Sequence, residues 1–254
     1  MSAEFLSLEF FMLVGIGFLA QIIDGALGMA FGVVCTAALL SAGIPAAHAS
    51  ALVHTAEIFT TGASAASHIY HRNVDWGLVW RLGAGGVLGA ILGAWILSNM
   101  DVTAARQFVY LYLLLMGVYI LLKSVQIVAV RQRPAGWTAP AGFLGGFLDS
   151  SGGGGWGPVL TSTLIGAGHV PRQTVGSVNT TEFFVTVAAA TTFFIELGAA
   201  PLRHLVPLVL GGVIAAPFGG WAVKRVSTRV LMTAVGTLIV LLSLFQLARV
   251  FKLV

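Results

Sequence analysis

Long apolar runs occupy almost the whole of this 254-residue chain and restrict its fold more than any short motif does. Only 9% of the residues are charged and 57% are hydrophobic, and the mean hydropathy is +0.95. A soluble domain carries roughly 25% charged residues, so these few charges cannot cover a water-facing surface. The bilayer is therefore the expected solvent, and a membrane-spanning helix satisfies its own backbone there. We predict an all-α integral membrane protein.

Ten apolar segments can be traced, and six of them are long enough for a crossing, which takes about 20 residues. Each remaining pair is joined through an aspartate and glycines, by Asp24-Gly25 in one pair and by the stretch from Asp149 to Gly155 in the other. We predict that each pair is two half-helices that meet at a break, as a re-entrant hairpin or a bent crossing. The segments run approximately over 5–23, 26–43, 46–70, 77–99, 105–130, 138–148, 156–168, 172–197, 202–224 and 229–251.

The chain also repeats itself at a constant spacing of 125 positions. Residues of the first copy have counterparts in the same order in the second. Asp24, Gly28 and Gly32 correspond to Asp149, Gly153 and Gly157. His54-Thr55 and Glu57 correspond to Asn179-Thr180 and Glu182. Five segments per half is an odd number, so the second half starts at the opposite face of the membrane. We predict two inverted-topology repeats of about five helical segments each, over 1–130 and 141–254, joined by a cytoplasmic linker over 131–140.

The basic residues predict the orientation. With the N-terminus outside, the cytoplasmic loops and helix ends hold nine of them, and the outer ends hold only Arg106, Arg203, Arg249 and Lys252. This asymmetry follows the positive-inside rule, so both termini are predicted to be extracytoplasmic. The nine are Arg72, Arg81, Lys123, Arg131, Arg133, Arg172, Lys224, Arg225 and Arg229.

Asp24 and Asp149 are the first candidates for function, because a charge at bilayer depth costs about 2.5–3.5 kcal/mol on insertion scales. One interpretation is structural: each carboxylate caps the following half-helix by accepting a freed backbone N–H. The other is that each couples transport to a proton or ion, or gates it. The two interpretations are compatible.

Small residues follow both aspartates and leave backbone N–H groups unshielded. Such groups at the start of a half-helix form an anion site that the helix dipole reinforces. Close packing of helices through small residues is the alternative. The candidates for anion binding here are Gly28 and Gly32 in the first half, and Ser150, Ser151, Gly152, Gly153 and Gly154 in the second.

A third set of polar residues lies inside segments three and eight. His54, Thr55, Asn179 and Thr180 could donate hydrogen bonds to an oxyanion, and Glu57 and Glu182 are candidates for coupling or gating. Polar contacts between helices are the alternative. His54-x-x-Glu57 also resembles half of a metal site, which is weak evidence without further ligands.

Two stretches resemble the TauE/SafE sulfite exporter family. The first is the run from Gly17 to Gly32 (GFLAQIIDGALGMAFG), and the second is Asn73-Val74-Asp75-Trp76 followed by the glycine-rich run from Gly85 to Trp95. The second half carries a version of the opening motif in which Ser150-Ser151-Gly152 replaces Gly25-Ala26-Leu27. The resemblance spans nearly the whole chain. It implies a bacterial inner-membrane permease for sulfite, sulfonates or related sulfur oxyanions, commonly an exporter.

The combined hypothesis is a secondary transporter for a small anion, working by alternating access in the lipid bilayer, with a proton as candidate coupling ion. No cofactor, catalytic residue or nucleic-acid partner is expected, and no nucleotide-binding motif is present. Two alternatives remain open. One is a metal or cation permease that uses Asp24, Glu57, Asp149 and Glu182 as ligands. The other is an intramembrane enzyme that uses His54 and Glu57. Substrate, coupling ion, direction and oligomeric state stay undetermined.

Overall fold

The computed structural model describes residues 7–27, 30–125, 135–199, 202–216 and 227–251. Within these ranges the chain forms ten α-helices and a short 3-10 turn, and it has no strand. The helices are α1 (Leu8–Leu27), α2 (Phe31–Ser41), α3 (Ala46–Tyr70), α4 (Trp76–Asn99), α5 (Val102–Val125), α6 (Thr138–Gly152), α7 (Trp156–Gly166), α8 (Pro171–Leu197), α9 (Leu202–Ala215) and α10 (Thr228–Val250).

Five of these helices are long and apolar enough to cross a membrane, which confirms the prediction of an all-α membrane protein. Helix α3 has 25 residues, enough for a crossing, but its histidines, hydroxyl residues and Glu57 make it more polar. The predicted ninth segment, 202–224, lies only partly within the described residues. The five candidate spans are Leu8–Gly25, Trp76–Asn99, Val102–Val125, Arg172–Leu197 and Arg229–Val250.

Both breaks lie further along the chain than the sequence predicted. Asp24 is inside α1, which at 20 residues is longer than the predicted half-helix. Asp149, Ser150, Ser151 and Gly152 are still helical, so the second break contains only three glycines. The helix α6 ends because Gly153 adopts a left-handed conformation, with φ of 77°, and Gly154 N–H returns to the Asp149 carbonyl at 2.8 Å. A left-handed glycine ends a helix in this way at no steric cost.

The helices pair as a two-fold relation between the halves requires. Helix α1 packs on α9 and α4 packs on α6, while α3 packs on α8 and α5 on α10. Under the sequence repeat, α1 corresponds to α6 and α4 to α9, so the first two contacts are equivalents. The other two contacts join a helix to its own counterpart. This pairing supports the inverted repeat, which stays a prediction.

Glycines allow the α4–α6 pair to pack backbone against backbone. A Cβ on Gly85, Gly89 or Gly93 of α4 would overlap carbonyl oxygens of α6, and one on Gly142 or Gly146 of α6 would overlap carbonyls of α4. Small residues every four positions let membrane helices approach this closely. The α1–α9 contact is built in the same way, through Gly17 and Gly211.

Large apolar side chains face outward along the candidate spans, while polar ones are inside. Leu88, Leu115 and Leu241 are each more than 60% exposed, whereas the side chains of His54 and Asp149 are buried. In water this arrangement would be strongly unfavourable, so it is the arrangement of a bundle surrounded by lipid. The polar residues at its centre therefore form the candidate site.

Candidate functional site

Each half places an aspartate against the first turn of its short second helix. Asp149 Oδ1 accepts the backbone N–H of Trp156 at 2.9 Å, at the start of α7. Asp24 Oδ1 accepts the N–H of Phe31 at 3.4 Å, at the start of α2. Both contacts span seven residues, and both carboxylates lie where a helix dipole favours negative charge. The capping interpretation of the two aspartates is therefore confirmed.

The backbone of the two breaks also matches. Ala30, which precedes α2, has φ of 128° and ψ of −11°, and Gly155, which precedes α7, has φ of 147° and ψ of −9°. These positions correspond under the repeat. An alanine rarely adopts such a φ, so the first break is held in a conformation that its residue does not favour.

His54 joins the two halves through Asp149. Its Nε2 lies 3.1 Å from Asp149 Oδ2, and its Nδ1 lies 2.8 Å from the Ser50 carbonyl oxygen. A carbonyl only accepts hydrogen bonds, so Nδ1 carries a hydrogen. The contact with Asp149 is then either an imidazolium beside a carboxylate or a carboxylic acid that donates to neutral histidine. In both states the pair holds one proton between the two side chains.

Three further carboxyl groups surround this pair. Glu57 lies within electrostatic range of Asp24, Asp149 and His54, and Glu182 lies within range of the other three acids. All four acids are at most 8% exposed. Glu57 Oε2 has no hydrogen-bond partner among the described residues. Four acids so close together in a water-poor interior cannot all be ionised without counter-charges.

Side chains from three helices hold the second break in place. Thr36 of α2 donates to the Gly153 carbonyl, Tyr112 of α5 donates to the Gly154 carbonyl at 2.7 Å, and Ser50 of α3 donates to the Ser150 carbonyl at 2.9 Å. The freed carbonyls at the end of α6 are thereby satisfied within the protein. The stretch that was predicted to bind an anion through its N–H groups therefore has its carbonyls hydrogen-bonded to side chains of the protein.

The two breaks meet each other at the centre of the bundle. A Cβ on Gly32 would lie 2.7 Å from the Gly154 Cα and 3.0 Å from Glu57 Oε1. The start of α2, the glycine break and the Glu57 carboxyl are therefore in direct contact. Gly28, the other glycine predicted to bind an anion in the first half, lies outside the described residues.

Thr55 and Thr180 line different cavities, so the structure does not bring these two predicted ligands together. Thr55 lines a cavity of about 370 Å³ with Thr191 and Phe194, and Thr180 lines one of about 230 Å³ with Ala66 and Ile69. Each residue of this second trio lies 125 positions from its counterpart in the first. Because the proposed repeats are inverted, the two cavities would open towards opposite faces. The hydroxyls of Thr55 and Thr180 each donate to a backbone carbonyl of their own helix.

Phe193 lies next to both the first cavity and the His54 ring. It lines the cavity beside Thr55, and its ring centroid lies 5.9 Å from that of His54. Its side chain is only 1% exposed. The ring of Phe193 is therefore buried beside His54 at the wall of this cavity.

Three groups of the site could hold a metal ion by spacing alone. Ligand atoms of His54, Glu57 and Asp149 all lie within 4.8 Å of one another. One nitrogen and two carboxylates suit a divalent transition metal, and Glu57 Oε2 has no other partner among the described residues. His54 and Asp149 already satisfy each other, however, so the pair needs no ion.

The remaining predicted residues are buried in the same region. Asn179 is 4% exposed and its Oδ1 has no partner among the described residues, while Ser151 donates to the Phe147 carbonyl within α6. The sequence analysis missed Ser50, Thr36, Tyr112 and Phe193. Ser50 lies one helical turn before His54 and was detectable by that spacing. The other three belong to no motif.

Ionisable residues buried at the centre of a polytopic helical bundle are typical of membrane transport proteins. The family model "Sulfite exporter TauE/SafE" matches residues 13–245, so the chain belongs to this family. It is 42% identical over 241 residues to the probable membrane transporter protein YtnM of Bacillus subtilis (strain 168), over 90% of this chain and 79% of that protein. No solved structure matches the chain. The protein is a membrane transporter and not an enzyme.

Proposed function

We propose that this protein is a proton-coupled secondary transporter of small sulfur oxyanions, with sulfite as the first candidate. The family description supports the substrate class, and the buried His54–Asp149 pair supports the coupling. The site lies between the two halves and is reached by alternating access.

The observation that carries the proposal is the position of the Asp149 carboxylate. In its ionised state it is an anion held at the N-terminus of α7, where Trp156 N–H is directed at it. A helix N-terminus binds carboxylate, sulfate and phosphate for the same electrostatic reasons. Asp149 therefore occupies the place that an oxyanion would take, as an internal substitute for the substrate.

Uptake of a second proton by the pair, which leaves a neutral Asp149 carboxyl beside a His54 imidazolium, would release this place. A neutral carboxyl accepts a hydrogen bond more weakly than a carboxylate, and His54 can then turn its Nε2–H to an incoming oxyanion. The oxyanion would bind while the acids around it are neutral, which removes their repulsion. The anion and the proton consequently move together in the same direction, whichever direction the gradients favour.

The two related cavities support alternating access. Each cavity is lined by a threonine, and the two threonines correspond under the repeat. Phe193 lines the first cavity and lies beside His54. We place the protein in the bacterial inner membrane with both termini extracytoplasmic, because the cytoplasmic ends then carry most of the basic residues.

The proposal can be tested in proteoliposomes that report sulfite flux and internal pH together. Asp149→Asn keeps an oxygen that can cap α7 but cannot take up a proton. We expect this variant to lose sulfite-driven proton movement and the pH dependence of flux. Asp75→Asn is the matched control. Asp75 caps α4 by accepting Leu78 N–H at 3.1 Å, and it is not one of the four buried acids of the candidate site. Wild-type behaviour of Asp149→Asn would refute the coupling, and no flux of sulfite, thiosulfate or sulfonates would refute the substrate class.

Divalent cation transport is the second candidate, and the 4.8 Å grouping of His54, Glu57 and Asp149 favours it. The same proteoliposomes distinguish the two functions. Uptake of Zn²⁺ or Mn²⁺ that Glu57→Gln abolishes, without any sulfite flux in the unmodified protein, would replace the anion proposal by a metal permease.

A further inference from the structure

A third cavity lies where α2 ends, at the other end of that helix from the contact between Gly32 and Gly154. It has a volume of about 260 Å³ and includes two arginines, Arg106 near the start of α5 and Arg249 in the last turn of α10. Its other lining residues are Leu40, Ser41, Gly43, Tyr110, Gln246 and Val250. We call it the arginine cavity.

Both arginines line the arginine cavity, and neither has a carboxylate partner among the described residues. Both lie within electrostatic range of the Tyr110 hydroxyl. The ion pairs among the described residues are His54–Asp149 and His204–Glu9, so neither arginine has an acidic partner there. Like charges that share a cavity repel each other unless an anion lies between them.

The nearest acid in sequence does not serve as that anion. Asp101 precedes α5, and its Oδ1 accepts the backbone N–H groups of Thr103 and Ala104 at 2.9 and 3.1 Å. It acts as a helix cap. Arg249 has an aromatic contact instead, with its guanidinium 5.1 Å from the Phe245 ring centroid.

The cavity also offers neutral polar groups and enough room for a small anion. The Gln246 side chain lines it and is 9% exposed, and the Tyr110 hydroxyl lies 3.4 Å from the Leu40 carbonyl. A volume of about 260 Å³ is several times the roughly 30 Å³ that a water molecule takes in the liquid. It suits a tetrahedral oxyanion group, and it is too small for a whole lipid.

We propose that the arginine cavity binds a phosphate-type oxyanion group held between Arg106 and Arg249. Planar guanidinium forks match such groups by paired, charge-assisted hydrogen bonds. The group can be the headgroup phosphate of an anionic lipid, since helix ends lie at headgroup depth, or a free oxyanion in the surrounding water. The inference is independent of the proposed function, because binding at this cavity requires no transport.

The test uses the full chain, purified and delipidated in detergent, in two arms. Native mass spectrometry measures retention of phosphatidylglycerol against phosphatidylcholine, and calorimetry measures binding of inorganic phosphate and sulfate. Arg106→Gln/Arg249→Gln is expected to weaken binding by about tenfold or more, since each hydrogen bond to a charged group contributes substantially. The double lysine variant, which keeps the charges but loses the forks, should fall between.

Arg229→Gln is the matched control, because Arg229 lies in the first turn of α10, at the opposite end of the helix that carries Arg249. It should bind both probes as the unmodified protein does. Selective phosphatidylglycerol retention alone identifies a headgroup site, and binding of the free ions alone identifies a soluble-anion site. The proposal is overturned if the unmodified protein binds neither probe, or if the double glutamine variant binds as tightly as the unmodified protein.

Discussion

At the scale of single residues, side chains of the candidate site contact backbone groups that the ends of helices leave free. Asp24 and Asp149 each accept an N–H at a helix start, and Ser50 supplies a carbonyl that fixes which imidazole nitrogen of His54 carries a hydrogen. In hydrocarbon, unsatisfied backbone groups cost several kcal/mol each. The same contacts therefore stabilise the fold and orient the titratable groups of the candidate site.

Ala30 gives a direct test of strain at the first break. Its φ of 128° is unfavourable for any residue with a Cβ. Ala30→Gly should raise the free energy of unfolding by about 1 kcal/mol, measured by SDS titration in mixed micelles. Ala42→Gly is the control, because Ala42 lies just after the other end of α2 and has φ of −77°. Equal stability changes in the two variants would show that Ala30 is not strained.

The sequence predicted the identity of most site residues but not their partners. Asp24 and Asp149 were expected to cap half-helices, and they do. The His54–Asp149 pair was not predicted, because the two residues are 95 positions apart and belong to different halves. Thr55 and Thr180 were expected to share a site, but they line different cavities. A repeat in the sequence does not reveal which side of a helix pair each copy faces.

At the scale of helices, α4 and α6 show how small residues substitute for a hydrophobic driving force. Lipid tails are as apolar as leucine side chains, so helices gain little from hiding apolar surface from lipid. Backbone contact through Gly85, Gly89 and Gly93 supplies dispersion and weak Cα–H···O interactions instead. Helix existence was predictable from hydropathy, whereas the exact end of α6 depended on one left-handed glycine.

Gly89→Ala tests this contact. The new methyl group would overlap the backbone oxygen of Phe143, and backbone cannot move aside as a side chain can. We expect the free energy of unfolding to fall by about 1–3 kcal/mol, measured by the same SDS titration.

Gly15→Ala is the matched control for that variant. Gly15 lies in α1 with nothing within 4 Å of its Cβ position, so alanine should stabilise the helix by about 1 kcal/mol. If both variants change stability in the same direction, the α4–α6 contact is not as close as described.

At the scale of the whole molecule, the pairing of helices and the pairing of cavities point to the same two-fold relation. Thr55 and Thr191 line one cavity, and Thr180 and Ala66 line the other. Under the repeat, Thr55 corresponds to Thr180 and Ala66 corresponds to Thr191. Composition and spacing predicted the duplication, but no sequence pattern located the cavities, since these arise only where α3 packs on α8.

Cysteine labelling tests the inverted arrangement and the orientation together. The buried Cys35 is the only cysteine, so Cys35→Ala gives a thiol-free background. Thr191→Cys should react with a membrane-impermeant maleimide from outside intact cells, and Ala66→Cys only in inverted vesicles. Labelling of both from the same side would contradict inverted repeats, and an exchange of the two sides would reverse the predicted orientation.

The equal reach of the two aspartates has a consequence for how this chain can vary. Each carboxylate and the N–H that it caps are separated by the same number of positions, although residues 25–27 and 150–152 differ completely in type. The reach depends on the number of residues between the carboxylate and the N–H, so inserting or deleting a residue would withdraw the carboxylate. The type of residue can differ between the two halves, although Gly152 is restricted because a Cβ there would overlap the Tyr112 ring. The two breaks can thus diverge in chemistry while their length stays fixed.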